Sequence, residues 1–388
     1  MNKFEEQFLD FFAHNAQSCY SQFGQDIWAL WVLNGLHDGY FVEFGATDGH
    51  DTNNSFLLEA TGWSGIVAEP SPMFHTSLQA NRNCHVSTEC IWTESNQQIE
   101  FCFLPETPAR SHINAPQLKT ESDSNQETKT ATFFQVPTIR LNDLLDRHDA
   151  PRVIDFISID TEGSEFDILS DFDFSNHQFR TIAVEHNFSE SREKIAALLE
   201  PLGYTRLFSN LSHVDDWYVD EETLAKLKTR VEGSDRVPLY RVPTVPPKTL
   251  PPVPLTSLAS LHFAKLLKSH KIHDSEELTQ RLIDTLISQA VIIAPNIPKP
   301  LIAKATNEID KQNHLGAIQI YSDALQQYDS AHRGNFKAIY MRLGNLLMHQ
   351  RNFESAANTF QLGLDYFPND EHLTHGLKKA TERHDRKR

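Results

Sequence analysis

The stretch YFVEFGATDGH, Tyr40 to His50, carries two acids and two glycines at the end of an apolar run. Its apolar run reads as a buried strand, and Gly45, Asp48 and Gly49 close it in a tight loop. A Gly-x-x-Asp-Gly turn at the carboxyl end of a parallel strand lets backbone approach a nucleoside-like ligand closely. It is not the pyrophosphate loop of nicotinamide enzymes, which needs G-x-G-x-x-G ahead of a helix N-terminus, so a hydride-transfer enzyme is disfavoured. Glu43 and Asp48 place acids here that would repel a pyrophosphate. They suit a ligand carrying a positive ammonium or sulfonium group and a ribose, which describes S-adenosylmethionine. Alone, Glu43 is equally readable as a sheet-end acid facing water.

Farther along the chain, SGIVAEP, HVSTECIW, RVIDFISID and RTIAVEHN repeat the short apolar pattern, with helix-like segments such as EFDILSDFDF and SREKIAALLEPLGY between or after them. That alternation predicts an α/β domain with a mostly parallel sheet, and WYV at 217–219 supplies a late edge strand. Residues 105–131 are polar and aperiodic, an extended loop between a hairpin-like IEFCFLP and a strand-like VPTIRL. MNKFEEQFLDFFAHNAQ reads as an amphipathic helix over 1–17 rather than a signal peptide. The Pro-dense RVPTVPPKTLPPVPL, 241–255, is a stiff linker, so the α/β domain is expected over 18–240 and a helical domain over 256–388.

Composition narrows the function classes. With 388 residues, 39% of them hydrophobic, the chain builds one large domain and a smaller one. Its formal charge of −17 argues against nucleic acid or an anionic membrane surface as partner. No apolar run approaches the roughly 20 residues of a membrane span. Cys19, Cys84, Cys90 and Cys102 show neither zinc spacing nor a disulfide framework, which fits a reduced, cytoplasmic setting.

The second strand ends at Glu69, where a carboxylate accepts both hydroxyls of a ribose. The fourth ends in IDTEGSE, so Asp160, Glu162 and Glu165 converge at the mouth of the sheet. Such crowding raises at least one carboxylate pKa toward that of a working base, although an acid like Glu165 in a helix's first turn also serves the helix dipole. His186 ends the fifth strand at the same edge, flanked by Glu185 and Asn187, and joins Asp160 and Glu162 as a catalytic candidate, with His50 a weaker rival. Nothing in the spacing fixes Asp160, Glu162 and His186 as an octahedral set, so no metal is expected.

The successive segments SQFGQDIWAL, YFVEFGATDGHDTNNS, GIVAEPSP, VPTIRLNDLL and DFISIDTEGSEFDIL resemble the motifs of the FkbM family of S-adenosylmethionine-dependent methyltransferases, over roughly residues 18–220. The resemblance implies a class I methyltransferase fold, a Rossmann-like, seven-stranded sheet whose last strand is antiparallel, and methyl transfer to a hydroxyl of a sugar, glycan or natural product. Carried over by position, it implies Glu43, Gly45, Asp48 and Asn53 or Asn54 at the methionine end of the cofactor, Glu69 at the ribose, and Glu89, Cys90 and Ile91 near the adenine. Farther on, Tyr340, Leu343, Gly344, Leu347, Ala356, Phe360 and Pro368 stand where a tetratricopeptide repeat places its large, small and terminating residues. An all-α, tetratricopeptide-like domain that recruits a protein partner is the expectation, a plain helical bundle the alternative. A scaffold whose methyltransferase-like domain has lost turnover is the rival function, disfavoured because the acids are all present.

Overall fold

The computed structural model describes residues 2–114, 130–233, 256–269, 276–294, 297–327 and 336–386. The linker at 241–255 and the middle of the loop at 105–131 lie outside the described residues. The chain divides into two compact units, Met1–Pro251 and Pro252–Arg388.

The first unit is built on strands β1 (Tyr40–Phe44), β2 (Ser64–Ala68), β3 (His85–Ser87), β4 (Cys90–Ile91), β5 (Gln98–Phe103), β6 (His112–Ile113), β7 (Thr132–Ile139), β8 (Val153–Ile159), β9 (Gln178–Glu185), β10 (Thr205–Leu207) and β11 (Asp215–Val219). Seven of them form one sheet in the order β10-β11-β9-β8-β1-β2-β3. Counted within that sheet along the chain, the order is 3-2-1-4-5-7-6 with the last strand antiparallel to both neighbours, the class I methyltransferase arrangement. β8 shows why the sequence folds this way: Ile154, Phe156, Ile157 and Ile159 are all fully buried, as in a parallel strand covered on both faces.

The covering helices are α1 (Lys3–Asn15), α2 (Gln25–Val32), α3 (Phe56–Ala60), α4 (Pro72–Asn81), α5 (Leu141–Arg147), α6 (Glu165–Asp171), α7 (Ser191–Leu199) and α8 (Glu221–Gly233). Leucines and isoleucines of α5, α6 and α7 share one core with β1, β8, β9 and Tyr218 of β11. The preceding residue of that strand, Trp217, faces the other way, as strand alternation requires, and meets Trp28 of α2 at 5.0 Å and Phe8 of α1 at 5.9 Å. The N-terminal helix, started by a capping box between Asn2 and Glu5, is therefore packed into the aromatic layer on that opposite face.

Two expectations are corrected. HVSTECIW is not one strand: β3 closes the edge of the large sheet, and β4 leaves it to pair with β7 in a second, four-stranded sheet ordered β4-β7-β5-β6. WYV is not at the edge, because the short β10 caps the sheet and leaves β11 inside it.

The second unit is helical, with helices Thr256–Ser269, Glu276–Ile293, Pro298–Asp310, His314–Gln327, Lys337–His349, Phe353–Tyr366 and Glu371–Asp385 among the described residues. The small residues sit at close approaches: a Cβ on Gly344 would lie 2.5 Å from the ring of Phe360, and Ala356 is fully buried. No helix among the described residues is long and apolar enough to cross a membrane, and all four cysteines are free thiols.

Candidate active site

Connections leave β1 toward β2 in one direction and, farther along the chain, β8 toward β9 in the other, so the sheet has its switch point between β1 and β8. A crevice at the carboxyl ends of the strands is expected there. A cavity of about 680 Å³ opens at that point, lined by Glu43, Gly45, Asn54, Asp160, Glu162, Glu165, Glu185, His186 and Asp215. A narrower cleft adjoins it, sharing Phe44, Gly45, Thr47 and Asp160 and lined farther in by Glu69, Cys90, Ile91 and Phe101.

Gly45 is required by protein rather than by ligand. Its φ is +71°, and a Cβ there would lie 2.0 Å from the carbonyl oxygen of Asp160, so only glycine lets the ends of β1 and β8 come together. Glu43 is also more internal than its position suggests. It is 2% exposed, and its carboxylate accepts hydrogen bonds from the Asn54 amide and the Ser55 hydroxyl. The fully buried guanidinium of Arg82 lies 3.7 Å away and reaches Glu59, Asn53 and Ser55 as well. Burial pushes Glu43 above the usual carboxylate range and Arg82 pulls it back. The acid that was to attract a cationic ligand already has its cation.

Asp48 departs further from expectation. It lines neither cavity, and its Oδ1 accepts from the amides of His50 and Asp51, each at 2.9 Å, which shapes the loop. His50 is buried against Tyr20 and Phe56 and paired with Asp51. Asn54 is held by its Nδ2 donating to Ser158, while its Oδ1 is buried without a partner. Glu69 is buried behind the narrow cleft, with one carboxylate oxygen accepting from Thr47 and the other from Ser71. Burial raises it to about 7 against those two bonds. Cys90 forms the cleft's apolar wall, its thiol pushed up to about 12 by burial, so it is a neutral surface there.

At the opposite wall Asp160 and Glu162 follow β8, and Glu185 ends β9. One carboxylate oxygen from each lies within 4.8 Å of the others. Burial and then the charges of Glu162, Asp215 and Glu165 hold Asp160 well above its ordinary range; burial and then Asp160 do the same to Glu185. Glu162 takes the left-handed backbone at φ +57° and accepts from Asn187 at 3.2 Å. Glu165 is turned away from this group: its oxygens accept from the amides of Thr161 and Gly163 and the Thr161 hydroxyl, bracing the turn that carries Glu162.

His186 does not offer a free base. Its Nδ1 accepts from the Phe188 amide at 2.9 Å, and its Nε2 lies 3.8 Å from Asp216, itself gripped by Arg192 and Arg206. With the accepting nitrogen engaged and burial lowering its pKa, the ring positions the 186–189 turn. Glu185 was mentioned in the sequence only as its neighbour; the alternation of β9 would have separated the two, since adjacent residues of a strand face opposite ways.

The N-terminal SQFGQD segment completes the cavity. Asp26, fully buried, gathers the Ser21 hydroxyl and the amides of Tyr20 and Ser21, and a bridge ties Ser21 to Thr52. Gln25 then reaches Asp215 at 2.6 Å, and Asp215 is raised by burial to about 7. Arg110 contributes from the β5–β6 connection and His112 from the start of β6.

No curated protein matches the chain in sequence. Residues 43–219, from the acid of β1 to the last residue of β11, match the model of the methyltransferase FkbM domain, so the first unit carries an FkbM methyltransferase domain.

Proposed function

We propose that the first unit transfers the methyl group of S-adenosylmethionine to a hydroxyl of a sugar, glycan or natural-product acceptor. One observation carries this reading: an apolar cleft with a buried acid, Glu69, runs into a wider acidic cavity across Gly45 at the switch point of the sheet. Those residues fit the cofactor. Cys90, Ile91 and Phe101 offer flat apolar walls to a base, Glu69 keeps lone pairs for ribose hydroxyls, and the unpartnered Asn54 Oδ1 accepts from an ammonium group. Glu43 and Asp48 support this site indirectly, by bracing the loop.

S-adenosylmethionine, when bound, supplies an electrophilic methyl carbon on a sulfonium. The protein aligns the acceptor oxygen with that carbon and takes its proton. Asp160 and Glu162 orient the hydroxyl, and Asp160 accepts the proton because burial and crowding make it more basic than an ordinary carboxylate. His186 acts through the turn it braces. The loop over 105–131, with Arg110 and His112, selects the acceptor.

The domain limits follow: a methyltransferase domain to about residue 240, a linker, and a tetratricopeptide-like helical domain from 256 that engages a protein partner, all in the cytoplasm. Incubation with methyl-labelled S-adenosylmethionine and a panel of glycans tests the reading. Label should appear on an acceptor hydroxyl with release of S-adenosylhomocysteine, and Asp160→Asn should abolish it. Label on nitrogen or carbon acceptors alone would refute it.

A further inference from the structure

The acidic wall of the cavity is more than a general base requires. Six carboxylates line the cavity, those of Glu43, Asp160, Glu162, Glu165, Glu185 and Asp215, against one guanidinium among the described residues, that of Arg110. Four have protein donors: Glu43 has Asn54, Ser55 and Arg82, Glu162 accepts from Asn187, Glu165 from its own turn and Asp215 from Gln25. Glu185 is different. It is 8% exposed, its Oε2 has no hydrogen-bond partner, and its carboxylate is directed at those of Asp160 and Glu162. A buried carboxylate oxygen facing two more carboxylates costs folding free energy unless a proton or a cation joins them.

We propose that Asp160, Glu162 and Glu185 together hold a hard divalent cation of the Mg²⁺ or Mn²⁺ type. The donor set is all oxygen, which suits these ions and not zinc or copper. Ligand oxygens around an octahedral ion at about 2.1 Å lie roughly 3 Å apart when adjacent and about 4.2 Å apart when opposite. The three carboxylates already stand within 4.8 Å of one another, so small side-chain movements close the set. The third ligand is thus Glu185, where the sequence had suggested His186 and no ion.

The inference deepens the methyl-transfer reading and, for its role, rests on it. An ion bound through one oxygen of each carboxylate keeps positions for the acceptor hydroxyl and water. Coordination lowers the hydroxyl pKa. The O–H proton passes to the second oxygen of Asp160, the acceptor oxygen forms its bond to the methyl carbon, and the sulfur–methyl bond breaks to leave a neutral thioether. The ion changes no oxidation state, and the proton leaves Asp160 for water afterwards.

The test needs no acceptor. Full-length protein stripped with a chelator is titrated with MnCl₂, and free Mn²⁺ is followed by electron paramagnetic resonance. One ion per chain should bind with a dissociation constant below about 1 mM, and MgCl₂ should displace it. Glu185→Gln and Asp160→Asn should each weaken binding by about tenfold or more, and His186→Ala by less than about twofold. Thermal unfolding without metal controls for folding; Glu185→Gln should raise the midpoint, since it removes repulsion. Absent Mn²⁺ binding, or binding equal in Glu185→Gln and wild type, overturns the site. A parallel titration with S-adenosylhomocysteine separates the claims: if it binds while Mn²⁺ does not, the ion alone falls; if Mn²⁺ binds and it does not, methyl transfer falls and the ion site stands.

Discussion

Arg82 is the residue whose removal most sharply tests how the glycine loop is held. Its side chain is fully buried, 2.5 Å from Glu59 and 3.7 Å from Glu43, whose side chains are 13% and 3% exposed. Arg82→Met keeps the apolar stem and strands two acids. Glu59 keeps some exposure to water, the Asn83 amide and the Cys84 thiol; Glu43 keeps the Asn54 amide, the Ser55 hydroxyl and the Asn53 side chain. Removing one partner of such a buried pair costs roughly 3–5 kcal/mol. For a unit of this size that lowers the midpoint by roughly 6–20 °C. All five tryptophans, at 28, 31, 63, 92 and 217, lie in the first unit, so their fluorescence during urea unfolding reports that unit alone. Adding Glu43→Gln should recover about half of the loss, because the orphaned charge is its main source. The deficit should also shrink from pH 8 to pH 5: without Arg82, Glu43 titrates still higher in the folded state, so its penalty is present at high pH and fades as pH falls. A loss under about 1 kcal/mol, or no rescue by Glu43→Gln, would show that Arg82 does not hold the loop through these two acids.

Glu69 sets a pH dependence. Its folded pKa is raised from 4.5 to about 7, so it favours folding below pH 4.5 and loses that contribution, about 3 kcal/mol, as pH rises through 7. Glu69→Gln should therefore gain stability relative to wild type at pH 8 in urea unfolding. Ribose hydroxyls donate to the charged form, so affinity for S-adenosylhomocysteine should rise about tenfold from pH 6 to pH 8, and the variant's profile should be flat. Gly45→Ala should cost more than about 3 kcal/mol and abolish cofactor binding, whereas Gly203→Ala, also left-handed at φ +92° but facing open space, should cost about 1–2 kcal/mol in the same unfolding assay. A fragment ending at residue 251 should bind S-adenosylhomocysteine as tightly as the full chain, since the cavity's lining runs from Gln22 to Asp215; a tenfold loss in calorimetry would show that the helical unit contributes.

The sheet was legible because strands buried on both faces are written as continuous apolar runs, as β8 is. What HVSTECIW did not reveal is the change of partner between Ser87 and Cys90, which depends on β7, some 50 residues away. Strand-end acids were visible as residues but not as roles. Spacing cannot distinguish Glu165, bonded to its own turn, from Glu185, whose Oε2 has no hydrogen-bond partner. Nor could it show that Arg82, in an ordinary polar NRNC context at the end of α4, supplies the charge beside Glu43. These assignments depend on which side chains meet across elements distant in sequence.

The crevice between β1 and β8 is proposed to bind an adenosyl cofactor. Isothermal titration of the full-length protein with S-adenosylhomocysteine, beside NAD as control, tests it directly. Saturable heat at one ligand per chain, lost in Glu69→Ala and absent with NAD, is the predicted result; no heat with S-adenosylhomocysteine, or equal heat with NAD, would contradict it.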